Sequence, residues 1–256
     1  SVMPAAGRQM VWSQERIVLA LAILLFAISA IFLPGFSDAQ NLIQIVRSVS
    51  VLGILAVGTA IVIIGRGIDL AAVAIMAMSA AWYLQMLNDG WPEGYALALT
   101  VAGVLLIGLA NGFLIAYADV PAIFATLASG AFVFGYVRSQ LITQDAVPVP
   151  RGHWLEIIGR TRLFSIPAEV FIFAAAALAA FLFLRFTKWG RYVYFMGDNF
   201  QAARNMGIPV RPTIMLRYVI SALTALAAGL LTASSLLSIN TRVVNSTLLY
   251  DIILVV

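Results

Sequence analysis

From Ile17 to Leu33 the chain reads IVLALAILLFAISAIFL, without one charged or amide side chain. Such a run offers water no polar face, and its length approaches the ~20 residues a helix needs to cross a bilayer. Similar runs recur at about 48–64, 68–87, 95–118, 122–137, 167–186 and 213–237, and an eighth begins near Leu248. Only 10% of the 256 residues are charged, where soluble domains carry about 25%. The chain therefore reads as an all-α, polytopic transmembrane helical bundle, a single domain over residues 1–256. Pro34-Gly35, Gly65-Arg66-Gly67, the turn NDGWPEG at 88–94 and Asp119-Val120-Pro121 separate the runs. Residues 38–47 read as a short amphipathic interfacial segment, and residues 138–166 as a mixed loop. The last run reaches Val256 without a cap or turn, so the bundle is expected to be truncated there, with its C-terminal helices missing. No small-residue cleavage site follows the first run, which is expected to be a retained span.

Arg8 and Arg16 precede the first span and predict a cytoplasmic N-terminus. Alternating crossings then put 88–94 outside, where the charges are Asp89 and Glu93. They put 187–212 inside, where Lys188, Arg191, Arg204 and Arg211 face Asp198 alone. The external 138–166 loop is the exception, with Arg138, Arg151, Arg160 and Arg162 against Asp145 and Glu156. Loop arginines of this kind account for the net charge of +4, so the expected partner is the lipid bilayer and not nucleic acid.

The absence of cysteine excludes disulfides and thiolate chemistry, and one histidine, His153, leaves a histidine metal site without ligands. No metal or cofactor is expected, and a membrane enzyme would lack a carboxylate cluster to work with. An ion-driven transporter needs ionisable residues near mid-membrane, whereas most charges here sit at span ends. Small residues spaced for close helix contact are frequent: Gly108 and Gly112 in one span, and Ser221, Ala225 and Gly229 in another. Three polar residues within or beside spans stand out. Asp69 lies three residues after Arg66, and the two read as a structural pair or as a helix-start cap. Asn111 lies between the two glycines and is expected to hydrogen-bond a neighbouring helix or to line a pathway. Asp251 falls in or near the eighth run.

One polar insert, TKWGRYVYFMGDNFQAARNMGIPVR at 187–211, interrupts two long apolar runs. Asp198 suits an N-cap, with Gln201 three residues later as in a capping box. Gly207 suits the C-terminal end, and Pro209 stops further helix. Residues 199–206 are therefore expected to form about two turns, with Phe200, Ala203 and Met206 on one face. A helix that short is not stable alone. It needs a surface, either lipid headgroups opposite Arg204 and Arg211 or a partner protein.

Several stretches resemble the ribose/xylose-type ABC importer permeases. Thr187-Lys-Trp-Gly-Arg-Tyr-Val-Tyr, Gly197-Asp-Asn, Ala202-Ala203-Arg204 and Gly207-Ile208 are similar to that family's cytoplasmic loop. Gly67-Ile68-Asp69-Leu70 resembles its "GGIDLS", Leu109-Ala-Asn-Gly112 its "xxNG", and Pro121-Ala-Ile-Phe124-Ala-Thr-Leu127 its "PAFIATL". Asp251 sits where the family has "ELDAIAAVV". The matches run in order from about residue 40 to the end. Departures fall on the polar lining: Ala71-Ala72-Val73-Ala74 stands for "SVGS", Phe134 for an arginine and Leu249 for a glutamate.

The resemblance implies a type II-like permease fold in the bacterial inner membrane, without enzymatic chemistry of its own. It implies that the 187–212 loop holds a coupling helix, which docks on a separate ATPase and passes ATP-driven closure to the spans. Gly197, Asp198, Asn199, Phe200, Gln201, Ala202, Ala203, Arg204, Gly207 and Ile208 would carry that contact. Asp69, Asn111, Phe124, Thr126 and Asp251 become candidates for translocation or gating. Pro148, Pro150, His153 and Trp154 become candidates for docking a periplasmic sugar-binding protein. The remaining implied partner is a second permease subunit, expected as a homodimer. The implied substrate is a monosaccharide, with nucleosides or branched-chain amino acids as alternatives.

Overall fold

The computed structural model describes residues 14–164 and 166–242. The chain divides into two compact units, residues 1–45 and 46–256. In the first, α1 (Gln14–Phe32) ends at a turn through Gly35, whose φ of 77° suits a residue without Cβ. Phe26 meets Phe36 edge-on at 5.3 Å, and Asn41 Nδ2 donates to Phe36 O at 2.8 Å. Helix α2 (Ala39–Ile64) starts there, and its later residues belong to the second unit. The interfacial segment expected at 38–47 and the span after it are thus one helix. No glycine or proline stands between 36 and 52 to part them.

The second unit continues with α3 (Ala72–Asn88), α4 (Glu93–Ala116), α5 (Ala122–Tyr136) and a π-turn (Val137–Leu141). Next come β1 (Ala146–Pro148), α6 (Trp154–Arg160), β2 (Arg162–Leu163) and β3 (Ile166–Pro167). Helices α7 (Ala168–Phe186), α8 (Lys188–Asp198), α9 (Phe200–Asn205) and α10 (Val210–Leu236) follow, then β4 (Ser238–Asn240). Among the described residues, α2, α4, α5 with its π-turn, α7 and α10 are long and apolar enough to cross a membrane. The 17 residues of α3 reach only ~26 Å, short of the ~30 Å hydrocarbon core. This helix begins at Ala72 and not at 68, because residues 67–71 are not helical. It is buried along most of its length, with Ile75, Met78, Tyr83 and Leu84 in the core, so it faces protein and not lipid.

Bare backbone brings the helices together. A Cβ at Gly229 would fall on Met76 O of α3. On α4, Gly108 lies against Val219 and Gly112 against Met215, both on α10. The two small-residue faces read in the sequence therefore pack α10 between α3 and α4.

The bundle has two distinct ends. One gathers the 65–71 segment, the 117–121 turn, α8 and α9: Arg66 reaches Asp198, and Arg211 lies over the Tyr117 ring at 5.0 Å. The other gathers the 88–93 turn, α6 and an antiparallel ladder of β1 with β4, while β2 and β3 form a second small ladder. There Asn88 Nδ2 donates to Pro148 O at 3.0 Å, and Arg47, at the far end of α2 from Ile64, meets Glu169 at 3.2 Å.

Gly229→Ala should lower stability by about 1–3 kcal/mol, the usual cost of overpacking. Gly135→Ala, which meets nothing within 4 Å, should not. Thermal unfolding of the two purified variants in detergent checks the difference.

Candidate functional site

The polar insert folds as two helices. Gly190 and Gly197 look like breakers in the sequence, yet both lie inside α8. Their missing side chains serve close approach: a Cβ at Gly190 would fall on Phe183 O and Leu184 at the end of α7, and one at Gly197 on Ile64 O at the end of α2. Thr187 starts α8, its Oγ1 accepting from Gly190 N at 3.0 Å. Asp198 is the last residue of α8, not the N-cap of the next helix. Asn199 takes that place, with Oδ1 accepting from Ala202 N at 2.9 Å. The capping box with Gln201 is thereby lost, since the residue three after the true cap is Ala202. At the other end Gly207 has φ 77° and its N–H donates to Arg204 O, so the expected stop is observed.

Of the expected apolar face of α9, Ala203 alone is buried. Phe200 remains 39% and Met206 64% exposed. Ala203 joins Val62, Ala116, Met196, Val210, Ile214 and Tyr218 in a small core that ties α9 to α2, α4, α8 and α10, with Ile208 packed against it. Beside it lies a cavity of about 470 Å³ lined in part by Tyr117, Asp119, Phe200, Arg204 and Arg211. Gln201 and Arg204 are exposed.

The second constellation surrounds the break between α2 and α3. Arg66, two residues past the end of α2, is in a left-handed conformation (φ 60°), and its Nη2 donates to Asp198 O at 3.0 Å. It does not pair with Asp69, because α2 has stopped before residue 66 and the two no longer share a helix face. Asp69 is buried; its Oδ1 accepts from Ala71 N at 3.0 Å and its Oδ2 from Ser221 Oγ at 2.7 Å. It therefore braces the turn just before α3 and ties that turn to α10. From α5, the buried Thr126 accepts from Leu70 N at 3.1 Å, while Phe124, two residues earlier, is 66% exposed. Tyr218 Oη donates to Ile68 O at 3.2 Å, and the Arg217 guanidinium donates to Gly65 O and, at 3.4 Å, to Val62 O. Arg217 and Tyr218 were not among the residues singled out from the sequence. The signal was there: a charge five residues inside the 213–237 run.

Asn111 is buried, as its place between the glycines implied, but its Oδ1 has no hydrogen-bond partner among the described residues. Among the described residues no bond from Asn111 to a neighbouring helix is made; beside it, Gly112 lies against Met215 of α10. Asp251 lies outside the described residues.

At the opposite end the four residues picked from the outer loop come together. Pro148 pairs with Ser238 in the β1–β4 ladder, and Pro150 O accepts from His153 N at 3.3 Å. His153 caps α6, its Nδ1 accepting from Leu155 N at 3.3 Å, and Trp154 opens that helix beside the imidazole. The His153 Nε2 lies 3.3 Å from Tyr83 Oη and 3.7 Å from Glu93. The 138–166 loop is therefore built, not merely solvated. Arg242 and then Arg138 hold the Asp145 carboxyl below its usual range, and Asp145 O accepts from Thr241 N at 2.8 Å.

Residues 41–256 match the family model described as "branched-chain amino acid transport system / permease component". The chain belongs to this permease family. Over 235 residues it is 30% identical to the ribose import permease protein RbsC of Escherichia coli (strain K12), covering 89% of this chain and 71% of that protein. It is 31% identical over 194 residues to the galactofuranose transporter permease protein YtfT of the same strain, covering 76% of this chain and 56% of that protein. The autoinducer 2 import system permease protein LsrC of Escherichia coli (strain SMS-3-5 / SECEC) is 30% identical over 244 residues, with 88% and 65% covered. No solved structure matches the chain. The long apolar helices and the family together make it a multi-pass protein of the bacterial inner membrane. It is a transport subunit and not an enzyme.

Burial lowers the pKa of His153 below the ordinary 6.5, partly opposed by the Glu93 carboxylate. A depressed histidine favours the folded state in its neutral form, so this stabilisation is full above 6.5 and is lost as pH falls through the lowered value. A proton on Nδ1 also removes the acceptor that caps α6. The protection factor of the Leu155 amide, its exchange rate relative to the intrinsic rate at the same pH, should therefore fall as pH drops below about 6.5. In His153→Asn, which caps without titrating, that pH dependence should vanish.

Proposed function

We propose that the chain is the permease subunit of an ATP-driven importer that takes a monosaccharide from a periplasmic binding protein. The observation that carries this is the agreement of the relatives. Permeases named for ribose, galactofuranose and autoinducer 2 import each align with three quarters or more of the chain at about 30% identity. A second copy of the chain completes the pathway, which runs between the two subunits. The bundle end that holds α8 and α9 faces the cytoplasm, as does the N-terminus, and an ATPase docks there. The end that holds α6 and the β1–β4 ladder receives the binding protein through Pro148, Pro150, His153 and Trp154.

In this reading Gly197–Arg204 with Gly207 and Ile208 are the coupling segment. Two features support it. Helix α9 is too short to hold itself, and it leaves Phe200 and Met206 uncovered. Arg204 and Arg211 also stand beside an open cavity with no carboxylate at ion-pair distance among the described residues. Asp69 and Thr126 position the break, Phe124 and Asn111 belong to pathway helices, and Asp251 acts at the gate. Movement between inward- and outward-open states carries the sugar; the chain itself makes and breaks no bond.

Uptake of labelled ribose, galactose and leucine by proteoliposomes holding the whole importer tests the substrate class. ATP-dependent accumulation of leucine and of neither sugar would overturn it. In the same vesicles, Arg204→Glu or Ala202→Pro should cut sugar uptake per ATP hydrolysed by about tenfold, a coupling loss within the usual range. The permease should remain inserted in the membrane, as alkaline extraction reports.

A further inference from the structure

Backbone that leaves a helix within a membrane protein must find its hydrogen bonds in other protein groups. For residues 65–71 those groups come from three elements. From α10, Arg217 serves Gly65 O and Val62 O, Tyr218 serves Ile68 O, and Ser221 holds Asp69. From α5, Thr126 accepts from Leu70 N. From α8, Asp198 O receives Arg66, and Gly197 lies so close on Ile64 O that no Cβ fits between them. The far edge is in contact but less tightly: Ala71 packs against Gly130 of α5.

We propose that residues 65–71 form the joint through which displacement of the coupling segment reaches α3 and α5, with Arg217 the positioning residue that holds it. This rests on the reading of 197–208 as the coupling segment. Contacts of this tightness pass on displacement because packed protein does not compress. A push on α8 meets the end of α2 through Gly197, with no side chain between to absorb it. Arg217 is 3% exposed and has no carboxylate at ion-pair distance among the described residues. A buried cation is costly unless its donors are used; Arg217 Nη1 serves Val62 O in the last turn of α2 and Gly65 O just beyond it, while its Nε has no partner among the described residues. It thereby holds the end of α2 to α10, the helix that leaves the coupling segment.

These 256 residues hold no cysteine, so Phe124→Cys on the exposed face of α5 adds one reporter among them, read on that segment of the permease against the unsubstituted parent. The test uses the complete importer in proteoliposomes and reads two quantities: ATP hydrolysis, and the maleimide labelling rate of Phe124→Cys with and without ATP plus vanadate. With the joint intact, ATP plus vanadate should change labelling by about tenfold. Adding Arg217→Gln should leave hydrolysis within about twofold and reduce the labelling change to less than about twofold. Arg217→Lys, which still donates to carbonyls, should recover part of it. A labelling change of parent size in Arg217→Gln overturns the proposal.

If Arg217→Gln fails to assemble, Tyr218→Phe and Ser221→Ala take its place, each removing one hydrogen bond to the joint. Both should shrink the labelling change more than hydrolysis, and an equal loss of the two overturns the proposal. Ala202→Pro separates the joint from the reading it rests on. If Ala202→Pro leaves the labelling change intact, the coupling segment is misassigned. If it abolishes the change while Arg217→Gln does not, the joint alone is wrong.

Discussion

In a hydrocarbon setting a backbone carbonyl without a donor costs several kcal/mol, and the end of α2 would leave several. Gly67 N removes that cost at Val62, Arg217 removes it at Gly65, and Tyr218 does so at Ile68. Much of the bundle depends on this. With the carbonyls satisfied, α2 can stop short, the chain can unwind through residue 71, and α3 can start deep inside. A short α3 can then sit wholly among its neighbours and form the axis on which α4, α5 and α10 pack.

The same helix that supplies those donors carries the glycine and alanine face that packs on α3 and α4. Helix α10 is thus both the mortar of the bundle and its link to α9, which ends at Asn205, four residues short of its start. The far end mirrors the arrangement on a smaller scale. Arg47 of α2 meets Glu169 of α7 and donates to Gly159 O of α6, while Ser235 of α10 donates to Glu169 at 2.8 Å. Each end is pinned by an arginine that donates to backbone carbonyl oxygen, Arg217 buried and Arg47 half-buried.

Much of this was legible in the sequence, because apolar runs and breakers are local signals. The bounds of α4, α5, α7 and α10 fall within a few residues of the runs, and Gly207 stops α9 as expected. Other features depend on partners far along the chain. Helix α8 was not among the sequence expectations: glycine disfavours helix, and only the surfaces of α7 and α2 show that Gly190 and Gly197 mark close contact. Asp198 and Asn199 are equally good caps, and where α8 ends decides between them. The pairing of Arg66 with Asp69 failed for the same reason: the carbonyl of Asp198 is an acceptor that no spacing announces. Arg217 was visible as a charge in an apolar run, but the carbonyls it serves lie about 150 residues earlier.

The ladder of β1 with β4 has a consequence for how the protein is made. It joins Pro148 to Ser238 and Ala146 to Asn240, so its strands leave the ribosome far apart in time. Closing so long a loop is entropically slow. Until α10 has entered the membrane, β1 lacks its partner and Asp145 has neither Thr241 nor Arg242. The cap at this end of the bundle is thus completed late in synthesis, after most of the described spans are in place.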